Sequence, residues 1–171
     1  MTAPAPLAPV TAEQAAPPVA ELFAEFARTG AAVPPVYRML AHSPRMLQAW
    51  HGFAAPLRAP GDLPADVKEL AILRAAHVTG SARQWRHHLP PAAAAGVTPA
   101  QIEAVQNDPE SLDGAAGAAV ALAGALCDGT DATTALARAR ESLGDALAVE
   151  VVVTITYYRC LAGLVGAFGL T

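Results

Sequence analysis

The stretch DVKELAILRAAHVTGSARQWRHHLPPAAAAGVT, from Asp66 to Thr98, decides the fold and carries most of the proton-handling groups of the chain. In its first half, apolar residues recur at helical spacing, and Glu69 lies among them. Gly80 ends this predicted helix. Ser81 can cap a second helix, which carries His88. Antiparallel packing of the two helices brings Glu69 toward His88, since both lie at similar distances from the turn. A carboxylate that faces an imidazole in an apolar setting is the minimum equipment for acid–base chemistry without a cofactor.

Alanine dominates the composition, with 42 of the 171 residues. Because alanine is the best helix former and β-branched and aromatic residues are sparse, the composition predicts an all-α fold. The length suits one domain, which we expect over residues 19–171 after an extended arm, rich in proline and alanine, over residues 1–18. A core built from alanine buries little apolar area, which favours association between copies of the chain.

Helical periodicity, interrupted by glycine and proline, divides the chain after the arm. The predicted helices cover about residues 19–28, 35–40, 44–58, 64–79, 82–89, 99–105, 115–127, 132–141 and 145–168. Pro90–Pro91 should break or kink the fifth helix, and Thr98 with Gln101 forms a capping box at the start of the sixth. The run EVVVTITYY at 150–158 has strand propensity, but the helical period continues through the flanking residues and favours a helix.

Charge and hydropathy exclude several classes of protein. The formal net charge is −4 and Lys68 is the only lysine, so no basic stripe exists for nucleic acid. The longest apolar run, Val151–Tyr158, is too short to span a bilayer and is followed by Arg159. No signal-peptide pattern is visible, so we expect a cytoplasmic protein in which Cys127 and Cys160 are reduced core thiols.

The central motif has a recognisable spacing. Glu69 and His88 fit Glu-x11-Cys-x-x-Cys-x-x-x-His, with Ser81 and Gln84 at the two cysteine positions. This spacing resembles the alkylhydroperoxidase D-like and carboxymuconolactone decarboxylase-like superfamily. The segments ELAILRAAHVTGS, LAHSP and TYYRCLAGLVGAFGL are similar to the decarboxylase-like branch, in which a Glu–Trp pair usually stands where this chain has Gln84 and Trp85.

The resemblance implies a helical domain that assembles as a trimer or as a dimer of trimers. It also implies an enzyme without a cofactor, acting on a small organic acid or lactone-like metabolite. His88 would move a proton to or from carbon, and Glu69 would orient and charge His88. Thiol-dependent peroxide reduction needs both motif cysteines, which are absent, so we expect no peroxidase activity.

Further residues near the motif are candidates for substrate binding. Gln84 could donate a hydrogen bond to an oxyanion, and Arg74 or Arg159 could hold a carboxylate, although an ion pair of Arg159 with Glu150 competes with that role. For the ring of Trp85, packing in the core is favoured over contact with substrate. The candidates are Gln84, Trp85, His77, Arg74, Tyr158 and Arg159.

A metal site is not expected, because His77, His87 and His88 lack the short spacings that zinc sites use. Two alternatives to an acid–base enzyme stay open. The chain could be a non-catalytic member that binds a small molecule or acts as a scaffold, having lost the motif acid at Gln84. It could also be a weak peroxidase.

Overall fold

The computed structural model describes residues 7–59 and 61–170, and within these ranges it contains nine α-helices, one short 3-10 helix and no strand. The predicted all-α class is therefore confirmed. Residues 1–6 of the predicted arm lie outside the described residues. The helices are α1 (Pro17–Arg28), α2 (Pro35–Leu40), α3 (Pro44–Arg58), α4 (Ala65–Val78), α5 (Ala82–Ala94), α6 (Pro99–Asn107), α7 (Gly114–Asp128), α8 (Thr133–Leu143) and α9 (Asp145–Ala167), with the 3-10 helix at Pro109–Ser111.

The described residues form two compact units, one of 7–59 with 164–170 and one of 61–163. In the first unit α3 packs against α1 and α2, and Tyr37 is its most buried aromatic side chain. The Tyr37 ring contacts Phe26 and His51 edge to face, and its hydroxyl accepts a hydrogen bond from Arg58 Nη2 at 2.9 Å. Burial raises the pKa of Tyr37. A single domain over residues 19–171 stays a prediction.

Part of the predicted arm contacts the first unit. Val10 donates its backbone N–H to the carbonyl of Arg38 at 3.1 Å, and the Nε2 atom of His42 lies 2.8 Å from the carbonyl oxygen of Ala8. Backbone pairing of this kind holds an extended segment without a hydrophobic core of its own. The helix that follows begins at Pro17, two residues earlier than predicted.

In the second unit α4 is the central helix. It packs against α5, α6 and α7, and α7 packs against α8. Its buried residues lie all around the helix, as expected of a core helix rather than a surface one; they are Val67, Leu70, Ala71, Ile72, Leu73, Ala75 and Ala76. Two hydrophobic clusters meet on it. One includes Ile155 and other residues of α7, α8 and α9, and the other includes Val105 and parts of α5 and α6.

The fifth helix continues through Pro90–Pro91 to Ala94, so of the two predicted outcomes, a break and a kink, the break does not occur. A proline in a helix removes the hydrogen bond to the carbonyl four residues earlier. Here those carbonyls belong to Arg86 and His87, which are exposed, so water can satisfy them. The cost of the two prolines is thereby reduced, and the helix runs through them.

Helix caps follow the sequence only in part. The capping box of Thr98 and Gln101 forms as predicted, with both reciprocal hydrogen bonds present. Ser43 and Ser81 stand at the N-cap positions of α3 and α5, but neither side chain makes a capping hydrogen bond. The run at 150–158 lies inside α9, which confirms the helix there over the competing strand.

The last helix, α9, is longer than the apolar run that the sequence analysis considered. Its 23 residues are long and apolar enough to cross a membrane by length and composition alone, with a mean hydropathy of 1.5. A third of its apolar stretch is buried within the structure, and core helices of globular proteins can be equally long and apolar. The helix therefore supplies only weak evidence for a membrane span, and the run Val151–Tyr158 is by itself too short for one.

We predict that Gly117→Ala destabilises the second unit. A Cβ at Gly117 would lie 1.8 Å from the carbonyl oxygen of Leu112, so α7 and the segment before it must separate. Overpacking of this kind costs roughly 1–3 kcal/mol in the free energy of unfolding, measured by urea denaturation.

Gly163→Ala is the matched control, because a Cβ at Gly163 in α9 would meet no atom within 4 Å. This substitution should raise the free energy of unfolding by about 0.5–1 kcal/mol, since alanine is the better helix former. Equal effects of the two substitutions would contradict the steric explanation.

Candidate functional site

The turn at Gly80, whose φ is +66°, joins α4 to α5 and lets the two helices pack against each other. The packing brings Nδ1 of His88 to 2.8 Å from Oε2 of Glu69. Both side chains are largely buried, with exposed fractions of 8% for His88 and 14% for Glu69. Since a buried carboxylate needs a partner to remain charged, the pair is the arrangement that allows Glu69 to sit on the core helix.

Aromatic rings of α9 form one wall of this pair. The ring of Tyr158 meets the His88 imidazole edge to face, with centroids 4.8 Å apart. Tyr157 packs against Tyr158 in the same manner at 5.1 Å. Both tyrosines are buried. The His88 ring is thus held by a carboxylate on one side and an aromatic ring on another, so its orientation is fixed.

Gln84 lies one helical turn before His88 and is buried, with 4% of its surface exposed. Its Nε2 donates a hydrogen bond to the backbone carbonyl of Tyr158 at 2.9 Å, which ties α5 to α9. Its Oε1 is buried and accepts no hydrogen bond. We expected Gln84 to act as a donor to an oxyanion, but the atom left without a partner is an acceptor.

His77 and Trp85 lie toward the turn end of the hairpin. Their rings contact each other with centroids 6.2 Å apart, and His77 is exposed. Trp85 packs against the cluster of α4, α5 and α6, in agreement with the favoured packing role. Within residues 7–59 and 61–170 no hydrogen bond or ring contact joins either side chain to Glu69 or His88. Their roles in substrate binding stay predictions.

The two candidate arginines each bind a backbone carbonyl. Arg74 Nη1 donates to Val105 at 2.8 Å, and Arg159 Nη1 donates to Leu126 at 2.7 Å. Neither is joined to the Glu69–His88 pair by an ion pair or hydrogen bond in the described part of the chain, and no ion pair links Arg159 with Glu150 there. The predicted contact of an arginine with a substrate carboxylate is not tested by these bonds.

His87 differs from its neighbour His88 although the two rings are 5.5 Å apart. His87 is exposed on the outer side of α5. Desolvation, followed by the charges of His88 and Arg83, lowers the pKa of His87, and the nearby Glu69 opposes this effect. At neutral pH the His87 ring is therefore mostly uncharged.

Cysteines and metal ligands complete the description of reactive groups. Among the described residues no three His, Cys, Asp or Glu side chains come together as a metal site would require. Cys127 and Cys160 are free thiols, and burial raises the pKa of Cys127. Cys160 is exposed, so the prediction that both thiols lie in the core is wrong for this residue. It falls on the outer side of α9, where the helical period turns it away from the core cluster.

Sequence reasoning missed two features near the motif. One is Tyr157, which supports the ring of Tyr158, and the TYY doublet was the available signal. The other is a pocket beside Arg74 that α7 borders. Small residues at i, i+4, i+7 and i+8 on one face of that helix were its only signal; they are Gly117, Ala121, Gly124 and Ala125.

Comparison with known families agrees with the helical fold and the motif spacing. The Carboxymuconolactone decarboxylase family matches residues 44–141, more than half of the chain. The chain belongs to this family, and the matched range includes both Glu69 and His88. Membership supports a decarboxylase-like or peroxidase-like role in general. No curated protein matches the chain.

We predict that His87 makes the protein less stable in acid. The pKa of His87 in the folded chain lies below the ordinary value of 6.5. At pH values between the two pKa values, the unfolded chain therefore binds more protons than the folded chain. Stability is then lost as the pH falls through the unfolded pKa toward the lowered folded value. His87→Gln should show a smaller loss of unfolding free energy between about pH 7.5 and about pH 5.5 in urea denaturation.

Proton NMR of the His87 ring supplies the direct control. Its titration midpoint in the folded protein should lie below 6.5. A midpoint at or above that value, or an unchanged acid loss in His87→Gln, would contradict the assigned desolvation.

Proposed function

We propose that the chain is a cofactor-independent acid–base enzyme that moves a proton to or from carbon in a small organic acid or lactone-like metabolite. The reaction type would be decarboxylation or double-bond migration. The observation that carries the proposal is the buried contact between His88 Nδ1 and Glu69 Oε2 at 2.8 Å. Family membership supports the general class, and the finer assignment to proton transfer at carbon is ours.

The contact decides which ring nitrogen of His88 would react. A carboxylate only accepts hydrogen bonds, so the Nδ1–H of His88 donates to Glu69. The neutral ring then carries its lone pair on Nε2, which has no hydrogen-bond partner among the described residues. Nε2 is therefore the atom that would exchange a proton with substrate, while Glu69 stabilises the imidazolium that forms.

For double-bond migration, Nε2 removes a proton from a carbon next to a carbonyl group, and the C–H electron pair forms an enolate. The imidazolium then returns the proton to a different carbon, which completes the shift. For decarboxylation, the electron pair of the breaking C–C bond forms the enolate as carbon dioxide leaves. The His88 ring, which first takes a proton from solvent on Nε2, then gives that proton to the carbon and returns to its neutral form. Both sequences use the same pair and balance without an oxidant or a metal.

Gln84 would add a contact with substrate. Because its Nε2 is held by the Tyr158 carbonyl, the side chain is fixed and Oε1 is the atom left for a ligand donor. A hydroxyl group or a protonated carboxyl group of the substrate would supply that donor. Arg74 and Arg159 have no step in this mechanism, because each donates to a backbone carbonyl rather than contacting the pair.

We also propose that the protein self-associates, as a trimer or a dimer of trimers, and works in the cytoplasm. The family resemblance implies the assembly, and the alanine-rich composition agrees with it. Met46 and Phe53 are exposed seven residues apart on α3, so they fall on one face of that helix. An apolar face of this kind is suited to contact with another copy.

We predict that the protein catalyses deuterium incorporation into carbon. A panel of small organic acids and lactones, including carboxymuconolactone, is incubated in D2O and followed by NMR and mass spectrometry. At least one member should exchange or lose carbon dioxide. His88→Ala should slow that reaction by about 100-fold or more, because the proton carrier is lost. Glu69→Gln should slow it by a smaller factor, since the ring remains but loses its charged partner.

His87→Gln and Glu103→Gln are the matched controls, since each removes an exposed group of the same type as His88 or Glu69. Both should leave the rate unchanged. Reaction at the wild-type rate in His88→Ala would contradict the mechanism. If no panel member reacts but one binds near Gln84, the non-catalytic alternative is favoured, in which a neutral glutamine replaces the motif acid. Peroxide consumption with a thiol reductant would favour the peroxidase alternative.

A further inference from the structure

A polar cavity lies within residues 61–163, away from the Glu69–His88 pair. It has a volume of about 570 Å³, inside the range of about 300–1,000 Å³ that is usual for small-molecule sites. Helices α4, α7 and α8 and the segment around the 3-10 helix border it. Neither Glu69 nor His88 lines it, and Arg74 and Arg138 are its two cations.

Arg74 reaches this cavity from the core helix α4 by passing close to α7. A Cβ at Gly124 would lie 3.4 Å from Arg74 Nε, so glycine leaves the space that the guanidinium occupies. One of its nitrogens donates to Val105, but Nε is buried and has no hydrogen-bond partner. In the described part of the chain no carboxylate lies within ion-pair distance of Arg74. A buried charged donor without an acceptor is costly, so an anion bound beside Arg74 would relieve that cost.

The acids of the cavity form no ion pair with Arg74 in the described part of the chain, although the Thr130 hydrogen bond and, to a lesser extent, the charge of Arg74 lower the pKa of Asp128. Asp128 is occupied by Thr130, whose backbone N–H and hydroxyl donate to Oδ1 at 2.8 and 2.6 Å. Glu110 makes no ion pair among the described residues. With these two acids beside the two arginines, the formal charge of the lining is zero. A single negative charge is therefore better accommodated than the two charges of a phosphate.

Apart from Thr130, the rest of the lining consists of small or aliphatic residues. Leu112, Val120 and Ala121 border the space, and α7 presents glycine and alanine there rather than bulky side chains. Such a surface suits an aliphatic chain, which gains by leaving water. The cavity thus combines two arginines with a small apolar surface on α7.

We propose that this cavity binds a small aliphatic monocarboxylate, with its carboxylate on Arg74 and Arg138 and its chain against α7. The site is distinct from the proposed catalytic pair and does not rest on the proposed reaction. A planar guanidinium presents its donors in the geometry that matches a carboxylate.

The test is an NMR titration of the full-length protein with pentanoate, using pentanamide as the neutral isostere and inorganic phosphate as the compact dianion. Pentanoate should shift the amide signals of Gly117, Gly124 and Thr130. It should bind at least about tenfold more tightly than either comparison compound, because a charged hydrogen bond contributes at least that factor.

Variants assign the binding to the two arginines. Arg74→Met and Arg138→Met should each raise the Kd for pentanoate by about tenfold or more. Ala121→Leu fills the cavity while keeping both arginines, and it should abolish binding. Arg138 is exposed, so its variant is informative even if Arg74→Met folds poorly.

Arg159→Met is the matched control. Like Arg74, Arg159 donates to a backbone carbonyl, but it does not line the cavity, so its loss should leave the Kd unchanged. His88→Ala should also leave it unchanged, which separates this site from the catalytic proposal. Failure of pentanoate to bind, equal binding of pentanamide, or an unchanged Kd in Arg138→Met would overturn the proposal.

Discussion

The hydrogen bond between His88 and Glu69 is the contact on which the arrangement of the second unit depends. Helix α4 is buried on nearly all sides, and a carboxylate on such a helix is stable only with a partner. The short turn at Gly80 brings that partner from the next helix in the chain. Helix α5 runs back along α4 and places His88 beside Glu69. The same return places Gln84 where it can bind the backbone of α9. One buried pair therefore fixes the position of α5 against α4 and, through Gln84, against α9.

Glu69 and Arg74 are both charged residues of the buried helix α4, and each reaches its hydrogen-bond partner on a different side of the helix. Glu69 and Arg74 are five residues apart, so they project about 140° from each other around the helix axis. Glu69 meets an imidazole from α5, whereas Arg74 passes beside Gly124 toward α6 and the cavity next to α7. Glu69 has a hydrogen-bonding imidazole partner in the chain, but part of the Arg74 guanidinium has no partner. This difference is why the first site suggests proton transfer and the second suggests binding of an anion.

Replacement of the motif cysteines changes what this scaffold can do. At the position of the second cysteine, Gln84 acts partly as a structural residue, since its amide nitrogen joins two helices. It cannot supply a thiolate, and it does not titrate. What remains of the family motif is the carboxylate and the imidazole, which suit reactions that need a proton carrier and no redox partner.

Much of this protein could be derived from the sequence. Alanine content and helical period gave the all-α class, and the capping box at Thr98 was correct because its hydrogen bonds are local. The proximity of Glu69 and His88 followed from the equal distances of the two residues from a glycine turn, which is also a local property. The continuation of α5 through Pro90–Pro91 could not be derived, because it depends on how the residues before the prolines, Arg86 and His87, are exposed in the packed structure.

By itself, the sequence determined most of the helices, the hairpin of α4 and α5 and the Glu69–His88 pair that this hairpin carries. Only the tertiary structure decided which atoms of Gln84 and Arg74 are left without a partner, and that Tyr158 forms a wall of the first site. These contacts join residues more than thirty positions apart, as in Arg74 with Val105 and Gln84 with Tyr158. Periodicity along a chain records which face of a helix is buried, but it does not record which distant helix covers that face.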